Sequence, residues 1–205
     1  MLYSKDTDDF DPSLLYEYDA ASKTYILNLA INSFKDMYNT WDYSPHRKRD
    51  INEALIKYIE ECSAEIPLKH RMSIHLYLPE TEKDDDQEAG GAGALRNYFK
   101  YLLYKKEQER CRYFKNATWY GFSGFLLLTL AYFFQKSSGH KYYLPILPEG
   151  LFIGGWVLFW EVFSIIFFRV REISGKIKEY GRLGKADIVY HFGKTFPTVI
   201  RKEKV

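Results

Sequence analysis

Residues 117–134 read ATWYGFSGFLLLTLAYFF and residues 151–168 read LFIGGWVLFWEVFSIIFF, and the architecture turns on these two runs. Each holds 18 residues; the first carries no charge and the second only Glu161. At about 1.5 Å per residue each run makes roughly 27 Å of helix, close to the hydrocarbon thickness of a bilayer. A helix of that length on a soluble domain would keep a polar face, and neither run has one. The expectation is a transmembrane helical hairpin over 117–168 with both arms nearly upright.

The flanking charges orient it. Lys100, Lys105, Lys106, Arg110, Arg112 and Lys115 precede the first arm, and Arg169, Arg171, Lys176, Lys178, Arg182 and Lys185 follow the second. The intervening turn has only Lys136 and Lys141. Lys and Arg accumulate on the cytoplasmic side of membrane helices, so both termini are expected in the cytoplasm, at the plasma (inner) membrane, with the turn Gln135–Gly150 outside. Tyr113, Trp119 and Tyr120 at one end and Tyr142 and Tyr143 at the other suit interfacial anchoring. Pro148 fits the first turn of the second arm, where proline costs no hydrogen bond. The first run begins too far from Met1 to be a signal peptide.

The 205 residues sum to a net charge of +2, an average over an acidic N-terminal stretch and the basic flanks of the hairpin. Those flanks face anionic headgroups, so no nucleic-acid partner is expected; the partners implied are the lipid bilayer, further copies of the chain and a cytosolic protein. Cys62 and Cys111 both fall on the cytosolic side, where disulfides are rare. Cys62 reads as a core residue and Cys111 as a candidate for S-acylation.

Outward from the hairpin the periods change. Residues 1–22 form an acidic, turn-prone arm. Residues 23–79 read as a cytosolic α/β domain, because Lys23–Ile31 alternates with Tyr25, Leu27, Leu29 and Ile31 on one side, and Met72–Leu78 repeats the pattern with Met72, Ile74, Leu76 and Leu78. Asn32 or Ser33 caps a short helix to Tyr38. Asp50, with Glu53 reaching back, opens a better one carrying Leu55, Ile59, Cys62 and Ile66 and stopped by Pro67. Residues 80–94, ETEKDDDQEAGGAGA, have the composition of a solvated linker. Residues 95–116 form a juxtamembrane helix with the stripe Leu95, Tyr98, Phe99, Leu102 and Leu103, continuous with the first arm or bent near Asn116. Residues 169–185 form a basic cytosolic helix with Ile173, Ile177 and Tyr180. Two strands make no stable sheet, so 186–205 is expected to complete it through Ile188, Tyr190 and Phe192 and a further run Phe196–Ile200. The fold class is therefore an α+β membrane protein: a transmembrane helical hairpin extended by juxtamembrane helices, with a small cytosolic α/β domain built from both termini.

Glu161 sits about eight residues, roughly 12 Å, inside the cytoplasmic end of its arm, where a bare carboxylate is costly and must be neutralised, paired or wetted. Counting inward on the antiparallel arm makes Ser123 its expected partner. Ala117, Gly121, Gly124 and Ala131 recur at heptad-like steps, and with Gly154 and Gly155 they form a small-residue stripe that lets helix backbones approach, in the hairpin or between copies. The basic turn His46, Arg47, Lys48 and Arg49 is a candidate anion or ligand patch. The five histidines lack the spacing of a metal site, and there is no phosphate-binding loop, nucleophile elbow, HExxH or Cys–His arrangement, so no cofactor and no catalysis are expected.

At WDYSPHRKRDINEALIKYIEEC (41–62), EIP (65–67), LYLP (76–79) and EGLFIGGWVLFWE (149–161) the chain resembles uncharacterised bacterial proteins with two transmembrane helices and a small cytosolic α/β domain. The resemblance implies an architecture and no activity. By architecture the chain is also similar to two-helix membrane effectors of bacterial antiviral systems, in which a cytosolic domain senses and the helices assemble to disturb the membrane. The functional expectation is a non-enzymatic membrane protein that senses or binds a partner in the cytosol and oligomerises through its hairpin, as a permeability-altering effector. The alternative is a scaffold that docks a cytosolic partner.

Overall fold

The computed structural model describes residues 12–39, 50–137 and 146–193 of the chain. It is a mixed α+β protein with a four-stranded sheet and two helical stretches long and apolar enough to cross a membrane, within Asp85–Lys136 and Ile146–Leu183. Two compact units result, one of Met1–Leu102 with Lys178–Val205 and the other of Leu103–Ile177.

In the first unit the sheet runs β1 (Glu17–Asp19), β2 (Thr24–Ala30), β3 (Arg71–Leu78) and β4 (Asp187–Phe192), in that spatial order. β1 is antiparallel to β2, while β2, β3 and β4 are parallel. Parallel neighbours need a crossover of a dozen residues or more. Between β2 and β3 the crossover contains α1 (Glu53–Glu65). Between β3 and β4 it contains α2 (Asp85–Ser137), α3 (Ile146–Ser164), a π-helical turn (Ile165–Arg169) and α4 (Val170–Leu183). The apolar hairpin is thus inserted in the second crossover of a β-α-β-α-β arrangement.

Period-2 alternation sorts the strands' side chains. Tyr25, Leu27, Leu29, Met72, Ile74, Leu76 and Leu78 are buried, and so are Ile56, Ile59, Cys62 and Ile66 of the α1 segment and Leu95, Phe99 and Leu183. Ile188, Tyr190 and Phe192 share that side through the register Ile74↔Ile188, Leu76↔Tyr190 and Leu78↔Phe192, and Phe34 packs on Tyr190 at 5.5 Å between ring centroids. The other side presents Glu17, Ile26, Asn28, His75, Tyr77, Val189 and His191, all half-buried or exposed. Arg182 fastens α4 to α1: its guanidinium donates to the carbonyls of Ser63, Ile66 and Pro67 and to Ser63 Oγ at 2.5–3.0 Å, adding a charged donor at the helix C-terminus, where the Ser63 and Pro67 carbonyls also accept from the Ile66 and His70 amides.

Several expectations change here. The arm 1–22 contains a strand, because Glu17–Asp19 pairs with Thr24–Ile26 and supplies the sheet with an edge. Asp50 does not cap α1; Asn52 does, its side-chain oxygen accepting from Ala54 N at 2.9 Å. Ser33 caps only a 3-10 turn, Phe34–Met37, with Asp36 closing the box. The linker over 80–94 is not one from Asp85 onward: α2 begins there, after Asp84 has accepted hydrogen bonds from the Asp86 and Gln87 amides. Gly91 accounts for part of the misleading composition. It is buried, and a Cβ there would lie 2.6 Å from Tyr190 Oη, so the glycine lets α2 pass over the sheet. Phe196–Ile200 lies outside the described residues.

In the second unit α2 is one uninterrupted helix through the first apolar run, without a break at Asn116. The second run and the basic helix after it join through the π-helical turn, where Val170 N–H donates to the Ile165 carbonyl. Eight residues separate Ile165 from Ile173, both buried. Two α turns take about 7.2 residues, but a π turn of about 4.4 followed by an α turn of 3.6 takes eight. The extra residue keeps Val170, Ile173 and Ile177 on the line begun by Gly155, Leu158 and Val162. Without it Arg169, Glu172 and Lys176 would fall there.

Candidate functional site

The small-residue stripe faces the partner arm of the same chain. A Cβ on Gly124 would stand 3.1 Å from the Gly155 carbonyl oxygen and 3.3 Å from Leu158 Cβ; one on Gly155 would stand 2.7 Å from Leu128 Cδ2 and 3.1 Å from the Gly124 carbonyl oxygen. The two backbones therefore touch at this pair. Gly121 faces Val162 and Gly154 faces Leu127, with room for a methyl group at 3.8 and 3.5 Å. Ala117 and Ala131 are buried at 6% and 4% exposure. The stripe is used inside the hairpin.

Glu161 does not share that seam. It is exposed, in a run with Trp156, Val157 and Trp160, which keep more than half of their surface. Ser123 is half-buried, and no hydrogen bond joins the two among the described residues. The register explains the failed pairing. Val162 fills the notch at Gly121, so Glu161, about 100° further round the helix, points away from the partner arm.

The sheet holds a second cluster, which the sequence reading did not assemble. On its less buried side His75 Nδ1 lies 3.1 Å from His191 Nε2, with ring centroids 4.9 Å apart, and Tyr77 stacks on His191 at 4.7 Å. Asn28, in register with His75, donates from Nδ2 to Glu17 Oε2 at 3.3 Å, while its Oδ1 is buried without a hydrogen-bond partner. Burial, then the charge of His191, hold the His75 imidazole below its ordinary pKa, with Glu17 acting in the opposite sense. Burial and Glu17 push the Tyr77 phenol up. A cleft of about 780 Å³ opens beside this cluster, at the N-terminal ends of the parallel strands, lined by Thr24, Lys69, Arg71, Ser73, His75 and Lys185 among others.

The signal for the cluster was present but incomplete. Alternation places His75, Tyr77 and His191 on the polar sides of their strands, yet only the β3–β4 register brings residues 116 positions apart together. The patch His46, Arg47, Lys48 and Arg49 lies outside the described residues. No protein-family model, curated protein or solved structure matches the chain.

Proposed function

We propose that this chain is a non-enzymatic integral membrane protein whose α2–α3 hairpin spans the inner membrane with both termini cytoplasmic, and whose hairpins associate with one another to alter permeability. The sheet unit is then the cytosolic part that binds a ligand or protein. The observation that carries this reading is the position of Glu161: a carboxylate on the outward face of an apolar hairpin whose seam is already filled. In hydrocarbon such a group needs a partner or water, and further copies of the same face supply both. The Lys and Arg imbalance between flanks and turn supports the orientation.

The test expresses the full chain in bacterial cells and follows membrane potential, with the detergent-solubilised mass measured in parallel. Glu161→Leu should insert normally but lose both the oligomer and depolarisation; Glu161→Gln, which still forms hydrogen bonds, should keep the oligomer and lose depolarisation. A monomeric wild-type protein that leaves the potential unchanged overturns the proposal. The second reading, a membrane scaffold, is favoured by the half-exposed side of the sheet, where Tyr77, Val189 and His191 retain surface for a partner. It predicts silent Glu161 variants and a protein that co-purifies.

A further inference from the structure

We propose that His75 and His191 form a two-point chelate for a divalent transition-metal ion, zinc being the reference case, on the less buried side of the sheet. Two imidazole nitrogens bound to one tetrahedral zinc at about 2.0–2.1 Å stand roughly 3.3–3.4 Å apart. His75 Nδ1 and His191 Nε2 are separated by 3.1 Å on adjacent hydrogen-bonded strands, so the pair has to open by a few tenths of an ångström and turn its rings until both lone pairs converge on the ion. Without metal the same separation suits an N–H···N hydrogen bond. Coordination moves the bridging proton to the far nitrogen of its own ring, so both lone pairs meet the ion and no proton is lost overall.

The surroundings favour a cation. Glu17 is close enough for its charge to act on His75, and it holds the Asn28 amide by Nδ2. The buried, unpartnered Asn28 Oδ1 is a spare oxygen donor on the strand in register with His75. No group of three or more His, Cys, Asp or Glu suited to a metal occurs among the described residues, so the coordination positions beyond the two imidazoles and the Asn28 oxygen belong to water or to a bound partner. The two ligands lie on either side of the hairpin in sequence, so the ion would tie together the strands that bracket it.

Isothermal titration of the full chain in detergent with zinc chloride, and with magnesium chloride as control, tests this. One zinc per chain should bind with a matching rise in thermal midpoint, and magnesium should do neither. His75→Ala or His191→Ala should each weaken zinc by more than the roughly 10- to 100-fold typical of losing an outer-shell partner, and His75→Ala with His191→Ala should remove the site. The midpoints of the metal-free variants check that they fold. Zinc binding that survives in the folded double variant, or a wild-type chain that takes up no zinc, overturns the proposal and leaves the pair as a proton-sharing hydrogen bond.

Discussion

Single residues decide how the sheet unit responds to mutation and to pH. Arg182 reaches four acceptors around the end of α1. Truncating it removes all four of these bonds at once, although the Ser63 and Pro67 carbonyls keep the Ile66 and His70 amides, and hydrogen bonds from a charged group are worth about 1.5–3 kcal/mol each. Arg182→Ala should therefore destabilise the unit by about 3 kcal/mol or more in chemical denaturation. Arg182→Lys should recover only part of this, since an ammonium lacks the planar fork. His75 governs a different axis. Its folded pKa lies below the ordinary 6.5, so as pH falls the unfolded chain takes up this proton first. The stability linked to His75 is complete above that ordinary value, falls as pH drops through it, and stops falling once the folded imidazole is protonated too. Thermal midpoints measured from about pH 7.5 to about pH 5 should decline, and His75→Gln should flatten the decline.

At the scale of elements, the seam of the hairpin ranks its own glycines. At Gly155 an added methyl meets the Leu128 side chain and the Gly124 carbonyl oxygen, and at Gly124 it meets the Gly155 carbonyl oxygen; Leu128 has to repack, and each 3.1 Å backbone contact asks the arms to separate by a few tenths of an ångström. Gly121 and Gly154 meet side chains at ordinary contact distance. Alanine should consequently loosen the hairpin most at Gly155, next at Gly124, and little at Gly121 or Gly154. Distances between spin labels on α2 and α3 in detergent would check the order, and equal effects at all four positions would refute it. The stripe itself was legible, because small residues at helical steps have few other uses in an apolar run. Its specific partner residues were not, since an error of one residue in the antiparallel count is enough to aim Glu161 at Ser123. The π-helical turn left no readable trace, because Ile166 and Ile173 are seven residues apart, as an undisturbed helix needs, and only the burial of Ile165 in place of Ile166 reveals the eight-residue step.

At the scale of the whole molecule, the alternating strands and apolar runs were readable because each depends on a local period. The order of the strands was not: β3 and β4 are separated by more than a hundred residues, and nothing local encodes a parallel pairing across that distance. The same distance explains the misread linker at 80–94, whose glycine makes sense only once Tyr190 lies beneath it. The topology carries a further consequence. The sheet unit has its own buried core, and α2 up to Leu102 with α4 from Lys178 already provides crossover helix on both sides of the inserted segment. Replacing 103–177 with a flexible linker of about a dozen residues should therefore leave a protein that is soluble without detergent and unfolds cooperatively. Its Arg182→Ala variant should lose stability by the same amount as in the full chain, because every acceptor of that side chain remains. An aggregated product, or one with helical signal but no cooperative transition, would mean that the sheet depends on the hairpin for its fold and is not an independent host into which the hairpin was inserted.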